Sequence, residues 1–242
     1  MNSFERPPFL LSVFRWLLSG INSSVHFIFL LLVSTFSHLV AWAIYKHWGK
    51  IAYKIFDVTL SIRDDNKGNH IEKPYLYIWL NQSNLAEIFI LPQLLPPHFG
   101  IANIEYAAMP LVGWALWPLR YLVVIRQWKR QAKKQIEKAA ARIEKGELCA
   151  ISIEGARSKD GRLLPYKKGP IVLALKSKAT IIPMVMHGGH EVMPLGDWRV
   201  KPGHIELHLL KAIPTHDLTY DDRNIVVSKL RALAEHELSL KN

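Results

Sequence analysis

Glu154, Arg157 and Ser158 sit around a flexible Gly155 and are followed by Lys159, Arg162, Lys167 and Lys168. The stretch follows a run of small and branched apolar residues at 148–153 that reads as a buried strand. The carboxyl end of a strand in an α/β sheet is where ligands sit. A guanidinium there presents a planar fork of donors suited to phosphate or carboxylate, and a glycine lets backbone approach a ligand closely. The competing reading is a surface turn with solvated charges. A second loop of polar side chains, Asn81-Gln82-Ser83-Asn84 with Glu87 beyond it, follows another apolar run at 75–80.

These loops need a frame. Residues 57–63 alternate like an edge strand, and 64–69 form a turn cluster. Residues 75–80, 101–105, 121–125, 148–153, 180–186 and 204–210 read as further strands. Helical patterns lie at 85–95, 127–147, 168–178 and 218–240, and 110–119 is a Trp-rich apolar segment. Strands alternating with helices predict an α/β fold, a central mostly parallel or mixed sheet flanked by helices. No internal repeat or Gly-rich nucleotide loop is present.

The N-terminal part has a different texture. Residues 9–19 are apolar except for Arg15, and Gly20 with Asn22-Ser23-Ser24 reads as a turn. Residues 25–44 carry no formal charge and match the hydrocarbon thickness of a bilayer. The segment either spans a membrane or lies in its interface as a hairpin with 9–19; a secretory signal fits least, because no small-residue cleavage site follows. Trp42, Tyr45 and Trp48 are spaced like an interfacial aromatic belt, and Lys46, Lys50 and Lys54 beyond them favour a cytoplasmic face for the rest of the chain. The expected division is residues 1–50 as membrane-anchoring helices and 51–242 as the α/β domain.

Half of the 242 residues are hydrophobic and the net charge is +11. That charge implies an anionic partner: a membrane surface, a phosphorylated substrate or nucleic acid. The apolar N-terminus makes specific nucleic-acid binding by the basic 126–145 helix the weakest of these. The single cysteine, Cys149, lies inside an apolar strand and reads as a buried, inert thiol. His187 and His190 do not make a metal pair at the usual ligand spacing, and no metal is expected.

The block Glu154-Gly155-Ala156-Arg157-Ser158, then Gly161 and Lys167-Lys168-Gly169, resembles the third signature block of the glycerolipid acyltransferase family, the lysophosphatidate (1-acylglycerol-3-phosphate) acyltransferases; Ala156 stands where that block has Thr. The segment from Pro110 through Gly113 to Arg126 is similar to the second block, and Thr180-Ile181-Ile182-Pro183 to the fourth. The resemblance covers roughly residues 74–190. It implies transfer of a fatty acyl chain from acyl-CoA or acyl-carrier protein to a lysophospholipid hydroxyl in phospholipid synthesis or remodelling, with no cofactor. It also implies a membrane-associated protein, on the inner membrane if bacterial. Arg126 and Arg157 would hold the acceptor's phosphate, with Ser83, Glu154 and Gly155 in the same substrate-binding set.

The family's first block carries His, four residues, then Asp. The imidazole takes a proton from the attacking glycerol hydroxyl, and the carboxylate fixes its tautomer. Laid on this sequence, Asn81 falls on the His position and Ala86 on the Asp position, while Gln82-Ser83-Asn84-Leu85 keep the frame. Gln82 and Glu87 repeat the same spacing one residue on, but an amide takes no proton at neutral pH. The chain as written is therefore expected to have little or no acyl-transfer activity. Two origins fit: a variant whose dyad was removed, favoured by the intact frame, or a natural non-catalytic lipid-binding or scaffold protein.

Overall fold

A computed structural model describes residues 6–34, 37–81, 90, 93–109, 112–125 and 127–240. Two long helices come first, α1 (Phe9–Ser34) and α2 (His38–Phe56). Polar residues 20–24, expected to turn the chain, are instead helical. The Ser23 and Ser24 hydroxyls donate to the carbonyls of Ser19 and Gly20 one turn back, the way a helix absorbs serine. Asn22 donates to the Trp48 carbonyl, and Trp48 Nε1 donates to Ser23 Oγ, so these polar groups form the seam between α1 and α2. The uncharged run 25–44 is correspondingly not one helix. Ser37, in extended conformation, accepts from Val40 N and starts α2, as N-cap serines do.

The aromatic belt is also placed differently. Trp42, Tyr45 and Trp48 are at most 4% exposed and pack with Phe27, Leu30, Ala115 and Leu119. They therefore form a small core beneath α1. Asp57, in the left-handed region, ends α2 and pairs with Arg15 of α1.

Among the described residues the sheet has seven strands: β1 (Val58–Asp64), β2 (Tyr75–Trp79), β3 (Phe99–Asn103), β4 (Leu122–Val124), β5 (Cys149–Ser152), β6 (Thr180–His187) and β7 (Gly203–Leu209). Their order is β1-β7-β6-β2-β5-β3-β4, with β2 at the centre. Neighbours run parallel except for the antiparallel pair β6–β7, which fits the mixed sheet expected. Five further helices are described: α3 (Ile104–Ala107), α4 (Val112–Leu116), α5 (Lys129–Glu144), α6 (Gly169–Lys176) and α7 (Gly189–Val192), followed by a 3-10 turn and the closing α8 (Arg223–Ser239). The helix expected over 85–95 lies largely outside the described residues.

Alternation along β2 assigns the two faces. Leu76, Ile78 and Leu80 pack with Ala139 and Ile143 of α5, Ile171 of α6 and Leu230 of α8. Tyr77 and Trp79 turn the other way, toward Tyr53 and Phe56 at the end of α2. The second face thus ties the N-terminal helices to the sheet.

His98 lies at the junction, 2% exposed, with its ring 4.9 Å from that of Trp42. Its Nδ1 hydrogen-bonds the Pro96 carbonyl at 2.9 Å. Burial pulls its pKa down from 6.5 to about 4, the carbonyl only partly opposing. The native form is the neutral ring, whereas the unfolded chain takes up a proton near pH 6.5. Stability from this group is therefore full above pH 6.5 and is lost as pH falls toward 4, by up to roughly 3 kcal/mol. We expect urea-unfolding midpoints in detergent to drop between pH 7 and pH 5, and the drop to shrink in His98→Gln.

Candidate functional site

The parallel strands β2, β5 and β6 end side by side, with Trp79 paired to Ser152 on one flank and to Met184 on the other. The loop after β5 leaves this edge and is held from below. Its carbonyl at Ile153 accepts from Lys167 N at 2.8 Å. Glu154 is 1% exposed and its Oε1 accepts from Leu164 N. Arg231 of α8 donates to the carbonyls of Leu164 and Leu163. Gly155 turns at φ 65°, donating its N–H to Ser152 Oγ, a conformation that favours glycine.

Fixed in this way, the loop turns its cations outward. Lys159, Arg162, Lys167 and Lys168 are exposed and Arg157 is half-buried. Among the described residues Arg157 has no hydrogen-bond or ion-pair partner. Asp160 is exposed; hydrogen bonds from Arg162 N and then Ser158 Oγ hold its pKa low and shape the turn. Gly161, at φ 77°, lies against the His190 ring, whose Nδ1 is buried with no partner among the described residues.

Asn81 marks the end of β2. Its side chain is buried and both halves of its carboxamide are engaged. Nδ2 donates to the Met186 carbonyl at 2.7 Å, and Oδ1 accepts from Met186 N at 2.8 Å. The amide thus stands in for a peptide group and continues the β2–β6 ladder past its last backbone pair. Ser83, Ala86 and Arg126, with Gln82 and Glu87, lie outside the described residues. Of the other residues singled out from sequence, Asn81 follows β2 and Glu154, Gly155 and Arg157 follow the adjacent strand β5, whereas β4 lies beyond β3. Cys149 is fully buried, and burial pushes its thiol up to about 12, leaving no thiolate nucleophile at neutral pH.

His187 and His190 diverge. His190 faces the β5 loop, while His187 Nε2 reaches Glu237 of α8 at 3.2 Å. The role of Glu237 was not legible from spacing, because its partners lie 50 and 29 residues away in sequence.

The arrangement is an α/β sheet with an apolar N-terminal helix pair and a cation-rich loop at its strand ends. The family model described as Acyltransferase matches residues 61–187, and the chain belongs to that family. It is 33% identical over 175 residues to a 1-acyl-sn-glycerol-3-phosphate acyltransferase of Limnanthes douglasii, covering 72% of this chain and 61% of that protein. It is 27% identical over 165 residues to one of Pseudomonas aeruginosa, covering 67% and 63%. The chain thus spans less than two thirds of the length of these relatives. In fold it is similar to the crystal structure of the 1-acyl-sn-glycerophosphate (LPA) acyltransferase of Thermotoga maritima, with a TM-score of 0.76, 18% identity and 95% of both chains covered.

Because Asn81 satisfies two buried backbone groups, replacing it with an apolar side chain of similar size strands both. Each stranded group costs about 1–3 kcal/mol. Asn81→Leu is expected to lower the urea midpoint accordingly, and Asn81→Asp to lower it as well, because its second oxygen would face the Met186 carbonyl with no proton to donate.

Proposed function

We propose that this chain binds a lysophosphatidate-like acceptor and an acyl-CoA or acyl-carrier-protein donor at the ends of β2 and β5, on a membrane surface, and that as written it transfers the acyl chain very slowly or not at all. The observation that carries the binding half is Arg157. It is a half-buried cation without a partner among the described residues, on a loop fixed by Glu154 and Arg231 and ringed by exposed lysines. A phosphate monoester offers the charge and oxygen geometry that such a fork selects. Arg126 and Ser83 complete this set in our reading.

Asn81 supports the other half. Its carboxamide has no proton affinity at neutral pH and is already committed to Met186. With Asn81 structural, the positions at the spacing of the family dyad become Gln82 and Glu87. This pair holds a carboxylate, but an amide stands where the family has the imidazole that takes the acceptor's proton.

Membrane association rests on α1. It is long and apolar enough to cross a bilayer by length and composition. Leu10, Phe14, Leu17, Ile21, Ile28 and Leu32, each 56–79% exposed, recur at intervals of three, four or seven residues and so share one face. Such a stripe suits a hydrocarbon environment. In this reading residues 1–50 anchor the chain and 51–242 bind the substrates on the cytoplasmic side. The net charge of +11 adds attraction to anionic lipid.

The test is transfer from labelled acyl-CoA to lysophosphatidate in detergent micelles. General-base catalysis is worth about 10²–10⁴-fold. The double change Gln82→His with Glu87→Asp keeps the Asn81 contacts and is expected to exceed the chain as written by at least a hundredfold. Asn81→His with Ala86→Asp breaks those contacts and is expected to gain less. Transfer by the unchanged chain at the restored rate would contradict the reading and move attention to His190. Glu154 is a weaker candidate, since its carboxylate already holds Leu164 N–H.

A further inference from the structure

On the α8 side of the sheet three side chains with metal-ligand chemistry converge. His187 ends β6, His208 lies within β7 and Glu237 comes from α8. Their exposures are 9% (side chain), 1% and 5% respectively. Glu237 Oε1 is 2.7 Å from His208 Nδ1 and 3.2 Å from His187 Nε2, and the three donor atoms all lie within 4.8 Å of one another. Behind them, His208 Nε2 faces Asp65 Oδ1 at 3.0 Å.

We propose that His187, His208 and Glu237 form a binding site for one divalent transition-metal ion of the zinc class, which fastens the C-terminal helix to β6 and β7. Two imidazole nitrogens and one carboxylate oxygen are a donor set that zinc accepts, with a fourth position left for water. Metal–ligand bonds of about 2.0–2.1 Å in tetrahedral array place donors roughly 3.3 Å apart. The observed separations of 2.7 and 3.2 Å need to widen by roughly 0.6 and 0.1 Å, and the two imidazole nitrogens, within 4.8 Å of each other, to settle at the same spacing around the ion. Asp65 Oδ1 lies 3.0 Å from His208 Nε2, close enough for ion pairing though not aligned as a hydrogen bond, and so sets a negative charge behind one of the two imidazoles.

The charges also balance. Glu237 and Asp65 together offset a dication bound to two neutral rings. A further neighbour, Arg63, approaches Glu237 at 3.8 Å and Asp65 at 3.7 Å with a side chain 52% exposed, where solvent screens it.

A proton could occupy the same place: an imidazolium at His208 bridging Glu237 and Asp65 would also hold α8. The two accounts separate by titration. Full-length protein in detergent, stripped with chelator, is titrated with Zn²⁺ alone by calorimetry and with Co²⁺ by visible absorption. We expect one Zn²⁺ per chain, the ligand-field bands of four- or five-coordinate Co²⁺, and at least a tenfold loss of affinity in both His187→Ala and Glu237→Gln. His47→Ala, which removes a histidine of the α1–α2 pair, is expected to leave affinity unchanged. Absence of stoichiometric uptake and of Co²⁺ bands in the unsubstituted chain overturns the proposal without relying on any variant. Uptake that survives both ligand changes overturns it equally, because other histidines then bind the ion.

Discussion

Two hydrogen bonds between the Asn81 carboxamide and the backbone of Met186 join the ends of β2 and β6, and the geometry of the strand-end edge depends on them. β2 is the central strand. Beyond Trp79 its backbone must leave the sheet, stranding an N–H and a carbonyl on β6 that no solvent reaches; the Asn81 amide occupies that place. The same device recurs at two other points. Gln131 donates to the Val123 carbonyl and accepts from Ile125 N where β4 ends. Asn66 donates to the Leu210 carbonyl and accepts from Ala212 N after β7. Each amide replaces one peptide group, so strand ends stay fixed while the chain departs toward a loop.

This constraint separates two properties that an active acyltransferase combines. Holding a phosphate needs a cation presented by a rigid loop, and the β5 loop supplies it through Glu154 underneath and Arg231 behind. Moving a proton needs a group that can accept one, and the side chain at the end of β2 is an amide with no spare valence. On our reading the chain keeps the first property and lacks the second, a difference of chemistry on one shared frame.

Much of the frame was legible in the sequence. Apolar runs bounded by turn residues located the strands at 75–80, 148–153, 180–186 and 204–210 to within one or two residues, because burial on both faces leaves little else in those windows. At the N-terminus the apolar helical segment was legible, but the helix bounds and the place of the aromatic residues were not, for a physical reason. Residues 20–24 have turn composition, but serine hydroxyls can bond back within a helix, and Asn22 and Ser23 serve the seam with α2. Trp42, Tyr45 and Trp48 carry the spacing of a lipid-facing belt, and only the packing of Phe27 and Ala115 over them makes them core. At the candidate site, Glu154, Gly155 and Arg157 stood out by type and order. The latching of Asn81 to Met186, 105 residues on, and the meeting of His187, His208 and Glu237 did not, since contacts between distant segments leave no local pattern.

The most direct measurement is equilibrium binding of lysophosphatidate to the unchanged chain in micelles, with lysophosphatidylcholine as the comparison and Arg157→Ala as the control. The account predicts saturable binding that favours the phosphate monoester at least tenfold and is lost with the guanidinium. Equal binding of the two lipids, or binding indifferent to Arg157, would contradict it.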